Sequence, residues 1–179
     1  MLAAPPLALM TDDDRLPDPL SAARALPRGS LVVLRSRDRA RLARLAADMA
    51  PIARARGLIL VIAGQALPGA DGVHLPEARL GEAASLRARH GGLFITGAVH
   101  SFAALGKALG LPFDALFLSA VFASKSHPGR AGLTPARANL IARAARLPVY
   151  ALGGIDAKNA ALLSPTSFCG IAAIGALDV

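Results

Sequence analysis

Residues 31 to 63 decide the fold: Leu31-Val32-Val33-Leu34-Arg35, a helical pattern over Arg37–Arg56, then Leu58-Ile59-Leu60-Val61-Ile62-Ala63. Both flanking runs are continuously apolar rather than alternating, the pattern of strands buried on two faces. The segment between them sets Leu42, Leu45 and Met49 on one stripe. Arg37, Arg39, Arg41, Arg44, Arg54 and Arg56 spread along the solvated side, and a kink is expected at Pro51. Two such strands joined through a helix lie parallel, because the crossover returns the chain to the starting edge.

The alternation continues in both directions. Leu7–Thr11, Gly72–Leu75, Leu93–Gly97, Ala115–Val121, Val149–Leu152 and Gly170–Ile174 also read as strands. Helical patterns lie at Pro19–Leu26, Leu80–Arg89, Phe102–Leu109, Pro135–Arg146 and Ala157–Leu163. Ser101, Thr134 (ahead of Pro135) and Asp156 stand at helix-capping positions. Eight strands alternating with helices predict an α/β chain folded as one (β/α)₈ TIM barrel over residues 1–179. Such barrels run to about 250 residues, so this one is shortened. Gly64 to Asp71 is too short for a helix after strand three, and the sequence stops soon after strand eight without a closing helix. The flank left bare there is one that a homodimer could cover.

Composition narrows the setting. The 179 residues are 54% hydrophobic and 18% charged, with a mean hydropathy of +0.47, against roughly 45–50% and about 25% in ordinary globular chains. Disorder is therefore excluded. No segment offers the roughly 18 uninterrupted apolar residues of a membrane span, and Met1-Leu2-Ala3-Ala4-Pro5-Pro6 leads to Asp12-Asp13-Asp14 without a basic region. A single cysteine, Cys169, excludes an internal disulfide and a cysteine-cluster zinc site. The expected setting is cytoplasmic. The net charge of +8 comes from arginines in an alanine-rich chain with no Trp and one Tyr. A basic groove interleaved with stacking aromatics is not expected, nor is a nucleic-acid partner.

In a barrel the chemistry sits at the carboxyl ends of the strands. Strand one ends in Thr11-Asp12-Asp13-Asp14 and strand two in Arg35-Ser36-Arg37-Asp38. Strand four holds His74, and strand five leads to His100-Ser101. Strand six leads to Ser124-Lys125-Ser126-His127-Pro128-Gly129-Arg130. Gly153-Gly154 and Ile174-Gly175 end the last two strands, where bare amides can cradle a phosphate. The plainer reading of Gly153-Gly154 is a tight turn. Arg35 and Arg37, two apart, would point the same way on an extended strand and suit a pyrophosphate, unless Arg37 already opens the basic helix. His74 reads either as a hydrogen-bonded core histidine or as a ligand contact; His90 ends a helix at the surface. No histidine spacing resembles a metal motif. Cys169, at the entry of strand eight, reads as packing.

In order, Met10-Thr11-Asp12, Leu34-Arg35-Ser36-Arg37-Asp38, Gly69-Ala70-Asp71-Gly72-Val73-His74-Leu75, Gly97-Ala98-Val99-His100-Ser101, Val121-Phe122-Ala123-Ser124-Lys125-Ser126-His127-Pro128-Gly129, Ala151-Leu152-Gly153-Gly154-Ile155 and Gly170-Ile171-Ala172 resemble the thiamine-phosphate synthase/TenI family. The resemblance implies a (β/α)₈ barrel and an enzyme of thiamine biosynthesis. Its members join a pyrimidine pyrophosphate to a thiazole phosphate with Mg²⁺, or tautomerise a thiazole phosphate. Carried over by position, it implies pyrophosphate contacts at Arg35 and Arg37 and reacting-group contacts at Ser124, Ser126 and His127. Thiazole phosphate contacts fall at Gly153, Gly154, Ile174 and Gly175, and His74 and His100 are counted as further substrate-binding residues.

The departures from that pattern are specific. The Asn-Asp after strand three, whose Asp binds Mg²⁺, is Ala63-Gly64, and the second metal-binding Asp is Arg79. A Gln is replaced by Val33, a Ser by Ala98, and the tautomerase histidine aligns with Ala120. The tail His74-Leu75-Pro76 is closer to the TenI type. No protein ligand for a metal is assigned. The expectation is a synthase-like transferase acting on phosphorylated small molecules, with a tautomerase or a non-catalytic phosphate-ligand binder that has lost its metal site as the alternatives.

Overall fold

A computed structural model describes residues 6–123, 132–156 and 158–174. Eight parallel strands close on themselves in sequence order: β1 (Leu7–Met10), β2 (Leu31–Leu34), β3 (Ile59–Ala63), β4 (Gly72–Leu75), β5 (Phe94–Val99), β6 (Ala115–Leu118), β7 (Val149–Leu152) and β8 (Gly170–Ala173). β1 seals the ring by pairing Ala8 with Ala172 of β8 on one side and with Leu31 of β2 on the other. The expected barrel is present; β1, β2, β6 and β8 end short of the apolar runs that announced them, and β5 continues past its expected end at Gly97 to Val99.

The helices are α1 (Pro19–Ala25), α2 (Arg39–Arg56), α3 (Ala83–Arg89), α4 (Phe102–Ala108) and α5 (Pro135–Ala144). Side-chain oxygens set their starts: Asp38 accepts from the Ala40 and Arg41 amides, Ser101 from Ala104 and Thr134 from Arg137. α2 continues across Pro51 as one helix and ends on Gly57 in the left-handed conformation, φ 62°. Its buried stripe, Leu42, Ala46, Met49 and Ala53, packs on Val32, Leu34, Leu60 and Ile62 from the outward faces of β2 and β3.

Two expected helices differ. The segment from Leu80 begins as a 3-10 stretch over Glu77–Glu82 and becomes α-helical only at Ala83. Between β7 and β8, where a helix was expected over Ala157–Leu163, the described residues form only a 3-10 turn at Ala160–Leu162. Local side-chain bonds explain the loss. Asp156 Oδ1 accepts from the Lys158 and Asn159 amides, Asn159 Oδ1 accepts from the Asp156 amide, and Asn159 Nδ2 donates to the Gly154 carbonyl. That network offers the backbone an alternative to helical pairing. β3 joins β4 without a helix, as expected.

Strand parity divides inside from outside. Ala8, Met10, Leu31, Val33, Val61, Ala115, Phe117, Tyr150, Leu152 and Ala172 form the barrel interior. Phe117 stacks on Tyr150 at 4.8 Å and meets His74 edge-on at 5.1 Å, so the lumen is a packed plug below the carboxyl-end mouth.

At the amino end, one device occurs twice. Asp71, just ahead of β4, takes the Leu60 amide of β3 on Oδ2 at 2.7 Å and donates its own amide to the Leu60 carbonyl. Asp114, just ahead of β6, does the same to Ile95 of β5 and also accepts from Arg87 at 2.6 Å.

Candidate functional site

The parity that fills the interior also selects what stands at the mouth. One step beyond Met10 and Val33 on the inward rows come Asp12 and Arg35. Arg35 Nη2 donates to Asp12 Oδ2 at 2.7 Å and Nη1 to Met10 Sδ at 3.5 Å. Arg15 Nη2 donates to the same Asp12 oxygen at 2.9 Å, and the Asp14 and Arg15 amides reach Oδ1. Arg15 first, then Arg35 and the amides, hold the Asp12 carboxyl far below the usual carboxylate range despite its burial. Thr11 Oγ1 locks β1 to the end of β2, donating to the Arg35 carbonyl and accepting the Arg35 amide.

Arg37 does not join Arg35. β2 ends at Leu34, so the two-residue spacing no longer keeps the guanidiniums on one side. The Arg37 head, 79% exposed, is paired with Asp14 on the outer rim. Asp13 takes the Arg37 amide at 2.9 Å and Ser36 Oγ at 3.0 Å, which hold its carboxyl below the usual range.

His74 is 7% exposed, with Nδ1 2.9 Å from Thr96 Oγ1 of β5. Burial first, then the charges of Arg35 and His100, lower its pKa to about 4, so the ring is neutral at physiological pH. His100 reaches across to β6: Nδ1 lies 2.7 Å from the Ser119 carbonyl oxygen and 3.0 Å from Ser119 Oγ. A carbonyl can only accept, so Nδ1 carries the hydrogen. Nε2 faces Glu77 Oε2 at 4.0 Å, a pairing made when the ring is protonated.

Gly153 and Gly154 have φ of 98° and 64°. A Cβ on Gly153 would lie 3.1 Å from Ala120 Cα, and one on Gly154 would lie 2.5 Å from the Ala123 carbonyl oxygen. Only glycine fits both the torsions and the approach. Among the described residues, neither amide has a hydrogen-bond partner, so two adjacent donors are open at the end of β7. Ile174 packs against the interior cluster at the end of β8. Ser124, Ser126, His127 and Gly175 lie outside the described residues. Cys169 is partly buried beside that cluster, and burial pushes its thiol up to about 11, which suits packing rather than nucleophilic chemistry.

Sequence reasoning missed Thr96, Glu77 and Ser119, and named Asp12 at the end of strand one without giving it a role. Strand parity finds Ser119 once the structure shows Phe117 inward on β6: position 119 is the next inward place. Asp12 follows Met10 on β1 in the same way.

The resemblance implies Mg²⁺, and the residues at its positions do not fit a divalent cation. Gly64 brings no side chain. A Cβ there would stand 3.0 Å from Arg79 Nη1, which donates to the Gly64 carbonyl at 3.0 Å. One carboxylate position thus carries no side chain and the other carries a guanidinium, whose Nε and Nη2 grip Glu82 at 2.6 Å each. Among the described residues, no three His, Cys, Asp or Glu side chains come together in a metal-holding group.

Comparison with known proteins decides the family. Residues 8–177 match the family model described as thiamine monophosphate synthase. The chain belongs to that family. A thiamine-phosphate synthase of Chlorobium luteolum is 32% identical over 182 residues, spanning 97% of this chain and 85% of that one. Thiamine phosphate pyrophosphorylase from Pyrococcus furiosus superposes with a TM-score of 0.76 at 20% identity, covering 96% of this chain and 86% of that one. A native KDPGal structure shares the architecture at a TM-score of 0.61 and 15% identity, covering 97% and 84%. Those two structural likenesses speak to the fold alone. Family membership places this chain among thiamine biosynthesis proteins.

Proposed function

We propose that the chain joins a pyrimidine pyrophosphate to a thiazole phosphate, releasing pyrophosphate. The bond from the pyrimidine methylene carbon to the pyrophosphate oxygen breaks, and its electron pair leaves with the pyrophosphate. The thiazole nitrogen then gives its lone pair to that carbon. Such a step calls for stabilised charge on the leaving group rather than for a strong base. Arg35 supplies a cation on the inward row at the mouth, and the Gly153 and Gly154 amides supply neutral donors for the thiazole phosphate. The observation that carries the reading is this pair of open amides on a turn that only glycine can make.

The test is incubation of the full chain with both substrates. Thiamine phosphate formation supports the reading. Saturable binding of the thiazole phosphate without product would replace it with a binding protein. A second reading, thiazole phosphate tautomerisation, is favoured by the neutral His74 and by His100 against Ser119, next to Ala120 where the tautomerase histidine is expected. Proton exchange into the thiazole phosphate alone, followed by NMR in D₂O, would select it.

A further inference from the structure

We infer that Arg79 serves this chain in place of a divalent cation, so that pyrophosphate binds at the mouth of the barrel without metal. The inference rests on the reading above, in which a pyrophosphate-bearing ligand sits by Arg35. Its basis is the bond between Arg79 and Gly64. Gly64, at φ 76°, leaves open the space its own side chain would fill, and Arg79 Nη1 stands at the edge of that space, bonded to the Gly64 carbonyl. A Cβ at 64 would displace Nη1, the free end of a flexible side chain, by only a few tenths of an ångström; the bond to the Gly64 carbonyl is what holds the guanidinium at this corner.

The place is right for a charged ligand. The Gly64 amide donates to the His74 carbonyl at 2.8 Å, which ties this corner to the β4 end. Leu34 pairs with Ile62, so Arg35 emerges one step below the level of Gly64 on the neighbouring strand. Arg79 has donors to spare: Nε and one hydrogen of Nη2 go to Glu82, one of Nη1 goes to Gly64, and one remains on each terminal nitrogen. With side chains 44% and 43% exposed, the Arg79–Glu82 pair contributes little in water. A multiply charged phosphate can compete for the guanidinium, whose fork matches its oxygens.

The experiment is calorimetric titration of the full chain with inorganic pyrophosphate, in EDTA and in MgCl₂, for the wild type and Arg79→Ala. Expected is wild-type affinity in EDTA within about threefold of that with Mg²⁺, and an Arg79→Ala loss of about tenfold or more in EDTA, the scale of one charge-assisted hydrogen bond. Arg79→Gln keeps a donor for the Gly64 carbonyl and removes the charge; it repeats the test should alanine impair folding. Binding that requires Mg²⁺, or variants as tight as the wild type in EDTA, would overturn the role of Arg79 and leave the reading of the mouth standing. Wild-type protein that takes neither pyrophosphate nor orthophosphate in either buffer would overturn both.

Discussion

Arg35 and Asp12 meet at 2.7 Å across neighbouring strands, and the Asp12 oxygen between them also takes Arg15. One carboxylate therefore aims one guanidinium at the mouth while a second arginine shares its charge. Replacing Arg35 leaves Asp12 paired with Arg15 and two amides, so Arg35→Ala is expected to fold. It should weaken pyrophosphate binding by about tenfold, the loss of a charged hydrogen bond worth about 1.5 kcal/mol. Orthophosphate, which the proposed reading seats at the glycine pair, should change by less than about twofold. Equal losses for both anions in calorimetry would undo the two-pocket arrangement.

His74 titrates near 4 in the fold against 6.5 in a free chain. The unfolded chain thus binds the extra proton first as pH falls. This contribution to stability is flat above about pH 6.5, declines between about 6.5 and 4, and amounts to roughly 3 kcal/mol across that window. Urea midpoints at pH 7.5 and 5.0 should separate more in the wild type than in His74→Gln. Identical separations would mean that His74 is not the group responsible.

The barrel was legible because its strands are buried on both faces, so most appear as apolar runs, interrupted at His74 of β4 and Thr96 of β5, with a helix or turn after each. Helix ends were legible where Ser101 and Thr134 cap them. The missing helix after β7 was not: Ala157–Leu163 has helical composition, and the competing bonds of Asp156 and Asn159 depend on where Gly154 lies in space. At the site, glycines and charged residues at strand ends were visible as residue types. For Arg37 two placements stayed open, beside Arg35 or out in water at the head of the basic helix, because the sequence does not say that β2 stops at Leu34. Ser119 went unnoticed because inward parity is known only once Phe117 is seen inside.

Two glycines make opposite predictions. Gly154 combines φ 64° with a would-be Cβ 2.5 Å from the Ala123 oxygen and 2.8 Å from the Phe122 oxygen. Gly154→Ala should cost about 1–3 kcal/mol through backbone strain and weaken orthophosphate binding together with stability. Gly106 lies exposed inside α4 with nothing near its would-be Cβ. Gly106→Ala should stabilise by roughly 0.5–1 kcal/mol. Thermal melts check both; a neutral Gly154→Ala would show that the turn relaxes freely.

Asp114 holds the opposite end of the barrel. Its Oδ2 takes the Ile95 amide at 2.7 Å and Arg87 at 2.6 Å, while Arg87 also spans the Leu93 and Gly91 carbonyls. Asp114→Ala leaves the Ile95 amide without its side-chain acceptor and Arg87 without its counter-charge. The expected loss is about 2–3 kcal/mol in urea unfolding, the scale of a charged hydrogen bond whose partners stay partly buried. Asp114→Asn, which can still accept from the amide, should lose less. Because β5 and β6 carry this bond at their amino ends and Arg35, His74 and His100 stand at the carboxyl ends, pyrophosphate affinity measured well below the melting temperature should stay within about twofold of the wild type. A large change in affinity would mean that the two ends of the barrel are coupled, and that stability and ligand binding cannot be assigned to separate rims.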